Sequence, residues 1–188
     1  ANGASANLVL GAAADLDEAF SGDWRASPSF AESAHLEARV GRYDADAPGQ
    51  THPADGERYA PGLRHCVAID WRPAFEGDTA EPALYVVQHG RDQLNTLFPD
   101  HYDASANAEL PAEEFHRLER GSDAGWPYTY WDPQRGERMV APEYGGDGET
   151  PAEDGLYQDP IDSFPAHWAP NDLVFYTGEQ FPSRYRGG

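Results

Sequence analysis

The sequence has no lysine. Its 13 basic residues are all arginine, set against 33 acidic ones, for a formal net charge of −20. That balance excludes a partner held through a phosphate backbone, because nucleic-acid binding needs clustered basic side chains. One cysteine in 188 residues excludes an intramolecular disulfide, and no Cys/His spacing describes a structural zinc site. No apolar run approaches the roughly 20 residues of a membrane span. Helical periodicity is also scarce. What the chain does hold is 5 Trp, 10 Tyr and 8 Phe. So many rings supply apolar area that disordered chains lack, and a packed domain is expected.

The missing lysine has two readings. Carboxylates stay hydrated in concentrated salt, and salt screens their mutual repulsion, so the composition suits a saline habitat. A GC-rich genome also favours arginine codons over lysine codons. Length allows a real core in a single domain. The chain opens Ala1-Asn2-Gly3 without methionine or signal peptide and ends on Arg186-Gly187-Gly188. It therefore reads as a processed chain or as part of a longer one.

Short strands between Gly, Pro and Asp turns dominate the pattern. Asp15 to Phe20 and Pro28 to Arg39 have room for a turn or two of helix, with Ser27 or Ser29 as caps. Leu8-Val9-Leu10 is a short apolar run, and Ala38 to Asp44 alternates as a strand does. Val67 to Trp71 is a strand stopped by Arg72-Pro73. Leu84 to Gln88 is the strongest strand and reads as buried on both faces. Phe75 to Pro82 and His101 to Pro111 read as loops. Glu113 to Glu119 fits a half-exposed strand, with a short helix as the alternative, and Leu173 to Thr177 is a last strand. Short strands with long loops and few helices predict all-β radial repetition, as in a β-propeller. At roughly 40–50 residues per blade, the chain holds about three or four.

Four segments place polar or charged groups beside turns. Tyr59-Ala60-Pro61-Gly62-Leu63-Arg64-His65 sets an arginine between a tight turn and a strand. Gln88-His89-Gly90-Arg91-Asp92 sets a glycine directly after the buried strand, where main-chain carbonyls can approach a ligand. Gly121 to Pro127 delivers a Trp-Pro pair, and Phe164 to Asp172 a His-Trp pair. Trp71, Trp126 and Trp168 read as core or loop anchors rather than stacking platforms. Cys66 enters a strand and reads as an inert small hydrophobe. Asp147, in Tyr144-Gly145-Gly146-Asp147-Gly148, suggests a calcium loop, with a solvated turn as the stronger reading.

Taken together, YAPGLRHCVAIDW, ALYVVQHGRDQLNTLFP, AELPAEEF, GSDAGWPY, VAPEYGGDG and FPAHWAPNDLVFYTGEQFPSRYRGG resemble the glucose/sorbosone dehydrogenase family. These are sugar dehydrogenases dependent on pyrroloquinoline quinone (PQQ), and the likeness is to the sorbosone-dehydrogenase-like branch. It covers residues 36–188; residues 1–35 match poorly. The resemblance implies a six-bladed β-propeller, present here as an incomplete ring of about three blades. It implies PQQ and calcium as cofactors, a sugar or aldose as substrate, an electron acceptor it leaves open, and a periplasmic or extracellular location. Arg64 falls on the family's cofactor-binding arginine, His65 on a cofactor contact that is Asn in the glucose enzymes, and His167 near another cofactor contact. Gly90 and Arg91 fall on the pair whose main-chain carbonyls bind calcium. The family's catalytic base histidine lies in a segment this chain does not show. A fragment of this kind is expected to be inactive alone. Asp92, Glu113 and Glu114 are candidate supporting carboxylates. The chemistry agrees with the resemblance: PQQ carries three carboxylates that need a bidentate donor, which arginine provides, and calcium takes oxygen ligands. The alternative reading is a non-catalytic propeller module that binds a glycan or a protein partner.

Overall fold

A computed structural model describes residues 8–10, 39–42, 46–49, 57–75 and 79–186. The possible helical turns at Asp15 to Phe20 and Pro28 to Arg39 lie outside these residues, except that Arg39 begins a strand. Three antiparallel sheets account for the regular structure that is described. The first joins β1 (Leu8–Leu10), β2 (Arg39–Arg42) and β3 (Glu57–Pro61) in that order. The second, of four strands, runs β4 (His65–Arg72), β5 (Ala83–His89), β6 (Glu113–Leu118) and β9 (Asp162–Phe164). The third is the hairpin of β7 (Thr129–Asp132) and β8 (Glu137–Val140). Among the described residues, helix is confined to α1 (Leu94–Leu97), α2 (Ala104–Glu109) and two single 3-10 turns. The protein is strand-rich and antiparallel, in keeping with an all-β class, and its described sheets do not close on one another.

β5 occupies an inner position because both its faces are apolar. Leu84, Val86 and Val87 are buried, and β4 and β6 pair with it on either side. Leu84, Val86 and Leu118 form a core with Ala60 of β3, Leu63 from the turn after it and Ala124 from the 121–127 segment. Burying each large side chain stabilises the fold by about 1.5–3 kcal/mol. A second core of Leu94, Tyr102, Tyr130 and Met139 ties the β7–β8 hairpin to α1 and the approach to α2. The hairpin turn is organised by Asp132, whose carboxylate accepts the backbone N–H groups of Gln134 and Arg135 at 2.9 and 3.2 Å.

Three segments differ from expectation. The stretch from His101 to Pro111 holds helix α2 rather than loop throughout. Asp103 caps it by accepting the Ala106 N–H at 2.8 Å, and Ala-rich sequence does the rest without any apolar stripe to signal it. Leu173 to Thr177 forms no strand. The Phe175 N–H goes instead to the Asp70 carboxylate at 2.9 Å, and its ring packs on Tyr85 at 4.8 Å. β6 is the expected strand but is turned inside out. Glu114 and His116 are buried while Phe115 and Arg117 are only partly so, because a polar network inside the sheet satisfies them.

Candidate functional site

β4 starts where β5 ends. His65 lies opposite His89 in the ladder, and their rings meet edge to face at 5.3 Å. Arg64, just before β4, and Gly90, just after β5, therefore emerge at the same end of the sheet. The Arg64 backbone N–H donates to the Gln88 side-chain oxygen at 2.7 Å. Its guanidinium donates to the Gly90 carbonyl at 2.7 Å and to the His89 carbonyl at 3.4 Å. The same guanidinium lies 5.7 Å from the centre of the Trp126 ring, a cation–π contact.

Trp126 reaches this place through Gly62. Gly62 has φ +77, and a Cβ there would fall 1.9 Å from the Asp123 carboxylate. Glycine alone lets the 61–62 turn close on the 123–126 segment, where Ala124 N–H bonds the Pro61 carbonyl at 3.0 Å and Trp126 N–H the Gly62 carbonyl at 2.9 Å. Two of the motif segments are thereby pinned side by side.

Behind Arg64 lies a buried ionic layer. Glu114 accepts from Arg138 of β8 at 2.7 Å and from His116 Nε2 at 2.9 Å. Burial by itself would raise the Glu114 pKa, but the Arg138 charge, together with His116, holds it down to about 2. An ionised carboxylate only accepts, so the His116 Nε2 must carry the proton. Gln88, oriented by Arg64, places its amide nitrogen 3.3 Å from that same ring nitrogen. Glu113, on the neighbouring position of β6, accepts the Gly90 N–H at 2.8 Å and the Ala169 N–H at 3.4 Å.

Glu113 thus links the glycine end of β5 to the 165–170 loop. Pro170 gives its carbonyl to His89 Nε2 at 3.0 Å. His167 is an exposed residue whose ring nitrogens face Asp92 at 3.0 Å and the Asn107 carbonyl at 2.7 Å. Arg91 turns its guanidinium inward to a buried ion pair with Glu143 and lies 5.5 Å from the Phe98 ring centre.

Arg64, His65, Gly90 and Arg91 consequently gather at one sheet end, with His167 joined to the same end through Asp92. Glu113 and Glu114 sit directly behind. Trp126 is buried against Arg64, whereas Trp168 is 71% exposed and anchors nothing. Asp147 accepts the N–H groups of Glu149 and Thr150 and the Thr150 hydroxyl within 2.9 Å, which makes it a turn cap; those bonds hold its carboxyl below the usual range. Burial pushes the Cys66 thiol up to about 12, which leaves it unreactive. Sequence reasoning passed over Gln88, His116 and Arg138. The signal available for the first two was a polar residue at a position where strand alternation points into the sheet.

The donor chemistry suits an anion: a guanidinium, which the Trp126 ring face backs, and two imidazoles share one end. The enclosed space among Arg64, Gln88, Gly90, Glu114, Trp126 and Thr129 is about 20 Å³, which is room for one water and not for a cofactor of the size of PQQ. Calcium does not fit these residues as they stand, because the Gly90 carbonyl expected to hold it is engaged by a guanidinium. Among the described residues no group of three or more His, Cys, Asp or Glu side chains is placed to hold a metal ion. Nor is any described helix long and apolar enough to cross a membrane.

No protein-family profile matches the chain. No curated protein matches it either. Among solved structures, the PQQ-bound form of an aldose sugar dehydrogenase from Streptomyces coelicolor is similar over 69% of this chain and 26% of that one, at 17% identity and a TM-score of 0.37. The chain spans about a quarter of the length of that protein.

Proposed function

We propose that the chain forms part of a β-propeller sugar dehydrogenase of the glucose/sorbosone type and supplies one wall of its PQQ site. The observation that carries this reading is convergence. Arg64, His65, Gly90 and Trp126 come from segments far apart in sequence and meet at one end of the four-stranded sheet. In an acidic chain of net charge −20, that end brings together an arginine and two imidazoles.

In this reading Arg64 binds a carboxylate of the quinone, exchanging its Gly90 carbonyl for a charged acceptor. His65 and His89 border the same edge, and Trp126 closes the back of the guanidinium against water. The Gln88 side-chain oxygen, accepting the Arg64 backbone N–H at 2.7 Å, holds that backbone in place. Bound PQQ supplies two-electron acceptance from a sugar carbon–hydrogen bond. The wider protein, periplasmic or extracellular, would oxidise a sugar or aldose.

The test is a titration of the chain with PQQ, followed by tryptophan fluorescence. Saturable quenching is expected. Losing a charged hydrogen bond of about 1.5–3 kcal/mol should make Arg64→Ala bind roughly 10- to 100-fold more weakly. Equal affinities, or no quenching in the parent chain, would reject the proposal. Glycan or protein binding without PQQ binding would favour a non-catalytic module instead.

A further inference from the structure

Three non-glycine residues among those described have left-handed backbones: Gln93 at φ 66, His167 at φ 65 and Ala169 at φ 46. All three flank one contact. Gln93 follows Asp92, Asp92 meets His167, and Ala169 lies two residues beyond. Strain of this kind costs on the order of 1 kcal/mol or more per residue and persists only where surrounding bonds impose it. Here the bonds come from the rest of the site: Asp92 and the Asn107 carbonyl hold His167, Glu113 holds the Ala169 N–H, and His89 holds the Pro170 carbonyl. Between the two strained residues stands Trp168, 71% exposed.

The His167 ring decides how firmly this loop is held. Its Nδ1 faces a carboxylate oxygen and its Nε2 faces a backbone carbonyl, at 3.0 and 2.7 Å. Both partners only accept hydrogen bonds. A neutral imidazole has one N–H and would leave one of its two contacts as lone pair against lone pair, whereas the imidazolium satisfies both. We infer that His167 is a pH-sensitive clamp, which in its doubly protonated form fastens the Trp168 loop to the end of the sheet and on losing a proton releases it.

The charged groups facing His167 are Asp92, from the segment after β5, and Glu113 on β6; α2 presents the neutral Asn107 carbonyl. Every one of these favours the proton, and together they hold His167 above its ordinary value, with the Asn107 bond the first cause and Asp92 and Glu113 adding to it against partial burial. A histidine raised in the folded state stabilises fully below its unfolded value near 6.5, and loses that contribution as pH rises through its folded value. The clamp is therefore closed in mild acid and opens towards alkaline pH. This inference does not depend on the cofactor reading.

The experiment is an NMR titration of the chain at low ionic strength, labelled with 15N-histidine and with 5-fluorotryptophan, the Trp168 resonance being assigned by its loss in Trp168→Phe. Both ring nitrogens of His167 should be protonated at pH 6, with a midpoint above that of a free histidine. The Trp168 fluorine shift should follow the same midpoint. Asp92→Asn, which keeps the size of the side chain, should lower both midpoints together. A His167 midpoint at or below the free value would overturn the clamp. So would a Trp168 resonance that stays constant through the His167 titration.

Discussion

The Arg64 guanidinium sits on the carbonyl of Gly90, 2.7 Å away and 26 residues on in the chain. One bond thus joins the residue expected to meet an anion to the oxygen expected to meet a cation. The protein's own positive charge fills the place, so a calcium ion bound to that oxygen would have to share it with Arg64 or displace it. At an ionic strength held constant with KCl, calcium alone should leave the melting temperature of the chain unchanged. A saturable calcium-dependent rise in melting temperature without PQQ would show that Arg64 yields the carbonyl freely.

The buried layer behind Arg64 makes a prediction about acid. Glu114 is ionised down to a pH of about 2 in the folded chain, against an ordinary value of 4.5. A depressed carboxylate stabilises above its unfolded value and loses that contribution as pH falls through the folded one, here between about 4.5 and about 2. The contribution at neutral pH is on the order of 3 kcal/mol. Replacing Glu114 by Ala, which leaves Arg138 only the more exposed Asp159 carboxylate at 3.4 Å and the Gln158 carbonyl, should destabilise by about 3 kcal/mol. Urea unfolding of both proteins at pH 7 and pH 3 tests this: the gap between them should narrow at pH 3.

Gly62→Ala puts a Cβ on a left-handed backbone and against Asp123. Thermal unfolding should show a loss of at least about 1 kcal/mol. The Trp126 environment should change as well, because the 61–62 turn carries the bond to Trp126. An unchanged melt would mean that the two segments are not tied through this turn.

Salt tests the composition. With 33 acidic and 13 basic residues, self-repulsion should fall as KCl is added, and the melting temperature should rise. A flat profile would leave codon preference as the account of the missing lysine.

Strand content was legible because it depends on neighbours in sequence. β5 announces itself through Leu84, Val86 and Val87, and β4 ends where Arg72-Pro73 stops it. Helix α2 was not legible, since a short alanine-rich turn capped by Asp103 has no apolar stripe to betray it. Leu173 to Thr177 shows the converse. Its apolar alternation is that of a strand, but a strand exists only with a partner, and Phe175 bonds to the Asp70 side chain instead. For the site, Arg64 and Gly90 stood out by their position beside turns. Gln88 and His116 did not, because a polar residue within a strand reads as solvent-facing until something inside the sheet is seen to satisfy it.

Composition by itself determined the charge, the absence of lysine and of any disulfide, and a ring-rich, strand-forming chain. These follow from residue type and local pattern, which need no third dimension. Only the tertiary structure decided what each charge is for. It turned β6 so that Glu114 and His116 face inward, since Arg138 of β8 was there to balance them. It set the guanidinium of Arg64 on Gly90 and the ring of His167 between two acceptors. Pairing energies depend on distance and burial, and sequence separation carries neither.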